Sequence, residues 1–320
     1  MRWGIPPNEL YENILPTKGR SIIMIMTPFR DRFLCRSRFV RLLALAASLV
    51  CLAAGPVSAV PRQAIPAKAA VVMDSAGAVL YAKFPHAKLA PASTVKLVTA
   101  MVAIDHLDPA QTVRISKNAS RVRSIDPRVC PDEEMTVSDL LHLALMKSVN
   151  SAAVALAEAA AGNERDFAVM MNRKAQEIGA RETLFANASG LPQGKQYTTA
   201  SDLARILQAA ICYPLIREIL GKRMHLIRTA AGRELFLESS NDLLWLEQNM
   251  IGGKTGYTGN ARHCFVAAIN SDKGPLYTAV LGARSRRNLW KSTLLLAEMG
   301  MAAEMKATRG EYPLSRMVIK

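Results

Sequence analysis

From residue 69 onward, strand-like segments stand at both ends of the chain and helix-like segments fill the middle. Residues 69–85 have the pattern of an apolar strand, a turn at Asp74 to Gly77 and an alternating strand. After Asn249 come three further strand patterns: IGGKTGYT, HCFVAAIN and LYTAVLGA. Strands that come first and last can share one antiparallel sheet, with the middle of the chain inserted between them. The sequence therefore predicts an α+β fold in three layers, with an antiparallel five-stranded sheet flanked by helices and an inserted all-helical subdomain.

The helical segments follow from apolar spacing and from capping residues. Apolar residues recur at helical spacing after Ser93, so residues 93–107 are predicted to form a buried helix. Thr136 is predicted to cap a helix that runs to about Met146. Further helices are predicted at 151–161, 165–178, 199–210 and 288–305. No repeat or internal linker interrupts this pattern, so we predict one domain over residues 60–305 and a short polar tail over 306–320.

The first 59 residues have the features of a secretory leader. Five arginines between positions 30 and 41 precede the apolar run LLALAASLVCLAA, and the small residues Val57-Ser58-Ala59 form a cleavage site. We predict an N-terminal extension with a cleavable signal peptide, with translation starting at Met24 or Met26. The protein would then be secreted across the inner membrane into the periplasm or cell-wall space. An uncleaved membrane anchor is the alternative.

Charge and cysteine usage narrow the classes of partner. The net charge is +15, and it is +10 without residues 1–59. The basic residues are scattered and no nucleic-acid motif is present, which indicates a solvated surface, with peripheral association with anionic membranes as an alternative. Three cysteines remain beyond the leader: Cys130, Cys212 and Cys264. None has metal-ligand spacing, so no metal site and no cofactor is predicted.

Three short motifs carry chemically useful residues in a fixed order along the chain. They are Ser93-Thr-Val-Lys96 at a helix start, Ser148-Val-Asn150 in a break between helices, and Lys254-Thr255-Gly256 on a late strand. A serine and a lysine one helical turn apart face the same side of a helix. Glycines at positions 252, 253 and 256 indicate close approach of a ligand to the strand backbone. Each motif is weak alone, but together they predict a serine-nucleophile enzyme.

The three motifs resemble those of the active-site-serine penicillin-recognising enzymes. Residues 60–305 resemble the low-molecular-mass penicillin-binding proteins, the serine-type D-Ala-D-Ala carboxypeptidases. Other shared stretches are Ser116-Lys-Asn-Ala119, Thr136-Val-Ser-Asp-Leu-Leu141, Asn187-Ala-Ser-Gly-Leu-Pro192 and the Tyr257-Thr258 that follows Lys-Thr-Gly. Arg262 is a departure, because many relatives have glycine there. The resemblance implies a β-lactamase/transpeptidase-like fold, a peptidoglycan stem peptide as substrate and β-lactam antibiotics as covalent inhibitors.

The resemblance also implies how the catalytic residues act. Ser93 would attack the terminal D-Ala-D-Ala bond and form an acyl-enzyme, helped by its place at the positive end of a helix dipole. Lys96 would be its base and must be neutral, which burial and a nearby second ammonium from Lys254 would favour. Ser148 would relay a proton to the leaving amine.

The remaining motif residues are implied to bind substrate. Asn150 would bond to the peptide backbone of the substrate, while Lys254 and Thr255 would hold its terminal carboxylate. Gly256 would allow close approach, and the backbone N–H groups of Ser93 and Tyr257 would form the oxyanion hole. The Asn187–Pro192 stretch is expected to be a structural turn at the rim of the site, with catalytic involvement as the alternative. Three arginines near the last helix are expected to be solvated charges, with carboxylate binding as the alternative: Arg284, Arg286 and Arg287.

Other functions use the same residues. A D,D-endopeptidase that cuts peptidoglycan cross-links would differ only in the shape of its cleft. A class A-like β-lactamase would need a Glu-x-x-Leu-Asn sequence between Asn150 and Lys254, and none is present. A non-hydrolytic β-lactam sensor would be expected to lack part of the catalytic set, which is complete here.

Overall fold

The computed structural model describes residues 65–308 and 317–319, so the predicted leader and start methionines lie outside the described residues. The strands are β1 Ala69–Met73, β2 Val79–Lys83, β3 Thr112–Arg114, β4 Glu134–Thr136, β5 Met224–Arg228, β6 Glu234–Glu238, β7 Met250–Thr258, β8 Arg262–Ser271, β9 Gly274–Ala283 and β10 Met317–Ile319. The α-helices are α1 Lys96–His106, α2 Lys117–Arg121, α3 Val137–Met146, α4 Asn150–Ala161, α5 Glu164–Glu177, α6 Ala200–Ile211, α7 Pro214–Gly221, α8 Leu243–Leu246 and α9 Arg286–Thr308.

Both ends of the described chain contribute to one sheet. Five strands pair antiparallel in the order β2-β1-β9-β8-β7, which confirms the predicted five-stranded antiparallel arrangement. In the predicted β1–β2 turn, the Asp74 side chain accepts a hydrogen bond from the backbone N–H of Ala78 at 2.8 Å. The short β10 adds a sixth strand, parallel to β2. The segment predicted as a polar tail therefore includes a strand, and α9 extends through Thr308.

Helices cover both faces of the sheet and make the three layers. Gly300 of α9 lies so close to β1 that a Cβ there would come within 3.0 Å of the Val72 side chain. Neighbouring residues of a strand point to opposite faces, and Val71 accordingly joins the core cluster that contains Leu203 and Leu207 of α6. β1 is buried along its whole length. This packing explains why its sequence is continuously apolar and does not alternate.

The predicted helices form, and Thr136 is the cap that the sequence predicted. Thr136 and Asp139 make a capping box at the start of α3, in which the Thr136 hydroxyl accepts from the Asp139 N–H at 3.0 Å. The Thr199 hydroxyl caps α6 in the same way. The helix predicted from Ser93 begins with a tight 3₁₀ turn, Ala92–Val95, and continues as α1, which is buried from its first residue. The catalytic motif therefore lies at the edge of the core.

The insertion between β2 and β7 is mainly helical, but it also contains two short antiparallel ladders, β3–β4 and β5–β6. The β5–β6 hairpin alternates exposed and buried residues and turns at Gly232, which has φ +80°. The alternation in HLIRTAAGRELFLE is the signal that could have predicted it. None of the helices in the described ranges has the length and apolar character needed to cross a membrane.

Candidate active site

Ser93 lies in the 3₁₀ turn before α1, and two neighbouring segments hold this turn tightly. A Cβ at Gly190 would come within 2.0 Å of the Ala92 carbonyl oxygen. A Cβ at Gly256 would come within 3.0 Å of the Ser93 backbone nitrogen. Ala92 itself has φ +50°, a left-handed conformation that costs a non-glycine residue about 1 kcal/mol or more. The backbone before Ser93 is therefore constrained by contacts from outside its own helix.

Lys96 is the first residue of α1, and its side chain is fully buried. Its ammonium nitrogen, Nζ, lies 2.9 Å from Ser93 Oγ, 2.7 Å from Asn150 Oδ1 and 2.5 Å from the Ser189 carbonyl oxygen. Serine and lysine one turn apart thus meet as the spacing predicted. The other two partners come from distant parts of the chain and fix the direction in which Nζ points.

The second motif occupies the break between α3 and α4. Ser148 is half-buried and has φ +64°, an unusual conformation for serine that marks a position held by its surroundings. Asn150 begins α4, and its side-chain N–H donates to the Arg123 carbonyl at 2.8 Å. The Asn150 backbone N–H donates to Ser124 Oγ at 2.8 Å. Because Asn150 is held at its backbone N–H and at its side-chain Nδ2, its Oδ1 is directed at Lys96.

The third motif lies on β7, the edge strand of the sheet beside the Ser93 turn. Lys254 is fully buried, and its Nζ donates to the Thr255 carbonyl at 2.9 Å. Gly256 provides the close backbone contact with Ser93 described above, so the absence of a side chain there is required by geometry. Tyr257 is 57% exposed and packs against the His263 ring at 4.6 Å between ring centroids. The structure therefore brings all three motifs together around Ser93.

The Thr255 hydroxyl is part of a hydrogen-bond network with Ser240, Arg286 and Asp242. The Thr255 hydroxyl is 2.7 Å from Ser240 Oγ, and the Ser240 carbonyl accepts from Arg286 at 2.9 Å. Arg286 also forms a salt bridge with Asp242 at 2.9 Å. Arg286 is 52% exposed, as expected for a solvated charge, but the Asp242 carboxylate and the Ser240 carbonyl also hold it in place. Arg286 therefore supports the strand end that carries the Lys-Thr-Gly motif.

The pKa values of Lys96 and Lys254 are both lowered, but the causes differ. Burial lowers the pKa of Lys96 well below its usual range, and the positive charge of Lys254 lowers it further, while Glu164 opposes this effect. Burial also lowers the pKa of Lys254, to about 7. Burial and the positive charge of Lys254 therefore both favour the neutral form of Lys96.

The Asn187–Pro192 stretch, predicted to be a structural turn, is also part of the site. Asn187 Oδ1 accepts from the Gly190 N–H at 2.7 Å, which closes the turn. The turn then presents the Ser189 carbonyl to Lys96. A cavity of about 150 Å³ opens between this turn, the Ser93 turn and the end of β7. It is lined by Ala90, Pro91, Ala92, Gly190, Pro192, Gly194, Gln196, Thr258 and Asn260.

Arg262, the first residue of β8, has φ +60°. Glycine adopts this conformation without strain, whereas arginine does not. Sequence reasoning missed several supporting residues, among them Arg123, Ser124, Glu164 and Ser240. No local pattern marks them, because each acts through a contact with a distant segment. No group of three or more His, Cys, Asp or Glu side chains is placed to hold a metal ion within the described part of the chain.

A nucleophilic serine bonded to a buried lysine, beside a Ser-x-Asn turn and a Lys-Thr-Gly edge strand, defines the class of active-site-serine penicillin-recognising peptidases. Comparison with known proteins places the chain within that class. Residues 56–285 match the D-alanyl-D-alanine carboxypeptidase family, peptidase S11. The chain belongs to this family.

Individual relatives agree with this assignment. A D-alanyl-D-alanine carboxypeptidase, DacF of Bacillus subtilis, is 33% identical over 68% of this chain, and the match spans 57% of that protein. A D-alanyl-D-alanine endopeptidase of Pseudomonas aeruginosa is 31% identical over 88% of this chain and 95% of its own length. The crystal structure of a D-alanyl-D-alanine carboxypeptidase from Mycobacterium tuberculosis superposes with a TM-score of 0.72, at 32% identity, and covers 77% of this chain and 95% of that one. These similarities confirm the predicted family and fold class.

Proposed function

We propose that this protein is a serine D-Ala-D-Ala carboxypeptidase that removes the terminal D-alanine from peptidoglycan stem pentapeptides through an acyl-enzyme on Ser93. The observation that carries the proposal is the 2.9 Å contact between Ser93 Oγ and the Nζ of the fully buried Lys96. β-Lactam antibiotics, which resemble an acyl donor, would acylate the same oxygen. Membership of the D-alanyl-D-alanine carboxypeptidase family supports this choice of substrate.

Acylation begins with neutral Lys96. A neutral amine has two N–H donors and one lone pair, which fits two acceptors, Asn150 Oδ1 and the Ser189 carbonyl, and one donor, the Ser93 hydroxyl. Lys96 takes the Ser93 proton as Oγ attacks the carbonyl carbon of the penultimate residue. The negative oxygen that forms is stabilised by the backbone N–H groups of Ser93 and Tyr257. Ser148 then relays to the departing D-alanine amine the proton that Lys96 took from Ser93, which leaves Lys96 neutral again.

Substrate binding uses the edge of the sheet. An extended peptide can add to the exposed edge of β7 through backbone hydrogen bonds. Its terminal carboxylate would meet Lys254 and Thr255, and Asn150 would bond to its amide backbone. In the second half-reaction, water replaces the D-alanine amine and releases the shortened peptide from Ser93.

The proposal is tested with three substrates and the purified protein. A stem pentapeptide ending in D-Ala-D-Ala is expected to release D-alanine, while the same peptide with a C-terminal amide is expected to react poorly, because it lacks the carboxylate for Lys254. A cross-linked muropeptide dimer is expected to be cut more slowly than the pentapeptide. Cleavage of none of the three substrates, with no labelling by fluorescent penicillin, would contradict the proposal.

The endopeptidase function is the second candidate. The endopeptidase of Pseudomonas aeruginosa aligns over nearly its whole length with this chain, which favours it. In that case the same residues would act, but the acyl donor would be a cross-linked stem. Faster cleavage of the muropeptide dimer than of the pentapeptide would select this function over the carboxypeptidase.

We propose further that the protein acts outside the cytoplasm, in the periplasm or cell-wall space, after removal of the leader. The support is the sequence pattern of residues 1–59, together with the location of the proposed substrate. The net charge of +10 beyond the leader is compatible with peripheral binding to anionic lipid. Fractionation of cells and N-terminal sequencing of the mature protein would test the export and the cleavage after Ala59.

Replacement of Ser124 tests the support of the second motif. Ser124→Ala removes the hydroxyl that accepts the Asn150 N–H at the start of α4. We expect a loss of about 1 kcal/mol in stability, as for other helix caps, and a several-fold slower acylation by penicillin, because Asn150 becomes less well oriented. Ser120→Ala is the matched control, since its exposed hydroxyl bonds only to the Lys117 carbonyl. Equal acylation rates in the two variants would contradict this prediction.

Replacement of the three cysteines beyond the leader tests whether any thiol takes part. Cys130 and Cys212 are exposed, whereas Cys264 is fully buried in β8 and burial raises the pKa of its thiol to about 11. We expect the triple alanine variant to lose about 1–2 kcal/mol of stability, mainly at Cys264, and to keep its acylation rate per folded molecule. Denaturant unfolding and penicillin labelling measure the two quantities. A folded triple variant that is as inactive as Ser93→Ala would refute this prediction.

A further inference from the structure

Glu164 lies near the site but belongs to none of the three motifs. It is the first residue of α5, after the Asn163 cap, and its side chain is half-buried. One carboxylate oxygen accepts a hydrogen bond from the Ala188 backbone N–H at 3.0 Å. An acidic side chain in the first turn interacts favourably with the helix dipole, and it would do so equally well if it were exposed to water. The partly buried contact with Ala188 therefore needs another explanation.

Ala188 is held on both sides of its backbone. Its N–H donates to Glu164, and its carbonyl accepts from the Thr99 hydroxyl of α1 at 2.7 Å. The next carbonyl along the chain is that of Ser189, which accepts from Lys96 Nζ at 2.5 Å. Glu164 thus bonds to Ala188, the residue directly before Ser189, whose carbonyl oxygen orients the Lys96 amine. A shift of Ala188 would move the Ser189 carbonyl and with it the direction of the lysine amine.

The negative charge of Glu164 also interacts electrostatically with the Lys96 amine. The negative charge raises the pKa of Lys96 against the effects of burial and of Lys254, and the charge of Lys96 in turn lowers the pKa of Glu164. Burial and the nearby Glu158 of α4 act in the opposite sense on Glu164. The charged groups that face Lys96 are therefore Lys254 from β7 and Glu164 from α5.

We propose that Glu164 is a positioning residue for Lys96, which holds the Ala188–Ser189 backbone so that the Ser189 carbonyl aims the lysine amine at Ser93 Oγ. The inference rests on the proposed function, in which Lys96 is the base. Glu164 itself does not touch the substrate or the reacting atoms. Its hydrogen bond sets the geometry, and its charge opposes the lowering of the pKa of Lys96 by burial and by Lys254.

Two substitutions separate these contributions. Glu164→Gln keeps an oxygen that can accept from Ala188 but removes the charge, whereas Glu164→Ala removes both. Asp166→Asn is the matched control, because Asp166 is an exposed acid in the same first turn of α5, where it bonds to Asn163. The measurement is the second-order rate of acylation by a fluorescent penicillin from pH 5 to 10, per folded molecule.

In Glu164→Ala the pH-independent rate is expected to fall about 10- to 100-fold, because small displacements of catalytic groups have effects of this size. In Glu164→Gln that rate is expected to stay within about threefold of the parent, since the acceptor is kept. In both variants the acidic limb of the profile is expected to move to lower pH, because the charge that raises the pKa of Lys96 is gone. Asp166→Asn is expected to match the parent protein in both respects.

An unchanged rate and acidic limb in Glu164→Ala would overturn the proposal, as would equal rate losses in the alanine and glutamine variants. If Glu164→Ala does not fold, an unshifted acidic limb in Glu164→Gln would still overturn it. Failure of the proposed function looks different, because the parent protein would then not be acylated at all.

Discussion

Ser93→Ala is expected to abolish covalent labelling by fluorescent penicillin while leaving the fold intact. The hydroxyl is the only group of this residue that can form the acyl-enzyme, and its loss removes one of three hydrogen bonds of Lys96 Nζ. Ser93 does not cap its own helix, so the expected loss of stability is about 1 kcal/mol, from one hydrogen bond. Gel fluorescence after labelling and thermal unfolding measure the two effects.

Ser151→Ala is the matched control for this experiment. Ser151 lies close to the site on α4, and its buried hydroxyl has no hydrogen-bond partner within the described residues. The variant is expected to be labelled like the parent protein and to be at least as stable, because an unpaired buried hydroxyl is unfavourable. Persistent labelling of Ser93→Ala at another serine would refute Ser93 as the nucleophile.

Lys96→Arg is expected to lose acylation by several orders of magnitude. Arginine keeps the positive charge and a similar length, but it does not give up its proton at any ordinary pH. The lowered pKa of Lys96 allows the parent protein to hold a neutral amine there. The acylation rate of the parent protein should therefore fall as the pH falls through the pKa of Lys96. In the variant, no pH between 5 and 10 should restore the rate.

Lys254→Arg is the comparison that makes this result specific. Lys254 is proposed to act as a cation toward the substrate carboxylate, and arginine remains a cation, so the loss of acylation should be milder. In the parent protein the pKa of about 7 predicts that the Lys254 charge is lost as the pH rises through that value, which should raise KM for carboxylate substrates. Comparable activity of the two arginine variants would refute Lys96 as the base.

Much of the local structure and all three motifs could be predicted from the sequence. The β1–β2 hairpin, the cap at Thr136 and the meeting of Ser93 with Lys96 depend on residues within a few positions of one another. Such interactions leave a readable pattern, because apolar spacing and capping side chains act over one turn or one strand. The order of strands and helices likewise predicted the antiparallel sheet, and the three motifs carried the resemblance to the family.

The β3–β4 ladder and the last strand could not be predicted in this way. β3, β4 and β10 have three residues each, which is too short for an alternating pattern to stand out. β10 pairs with β2, which lies more than 200 positions earlier in the chain. Pairing at that distance depends on the finished sheet edge and not on the local sequence.

The sequence by itself determined which groups are present to do chemistry: two serines, two lysines, an asparagine and a glycine-flanked strand, in an order that identifies the family. Only the tertiary structure decided how those groups are tuned. The pKa of Lys96 depends on complete burial and on Lys254, which is 158 positions away. The direction of its amine depends on Ser189 and Asn150, which Glu164, Ser124 and Arg123 hold in place. Desolvation and hydrogen bonding between distant segments exist only once the chain has folded, so no local pattern records them.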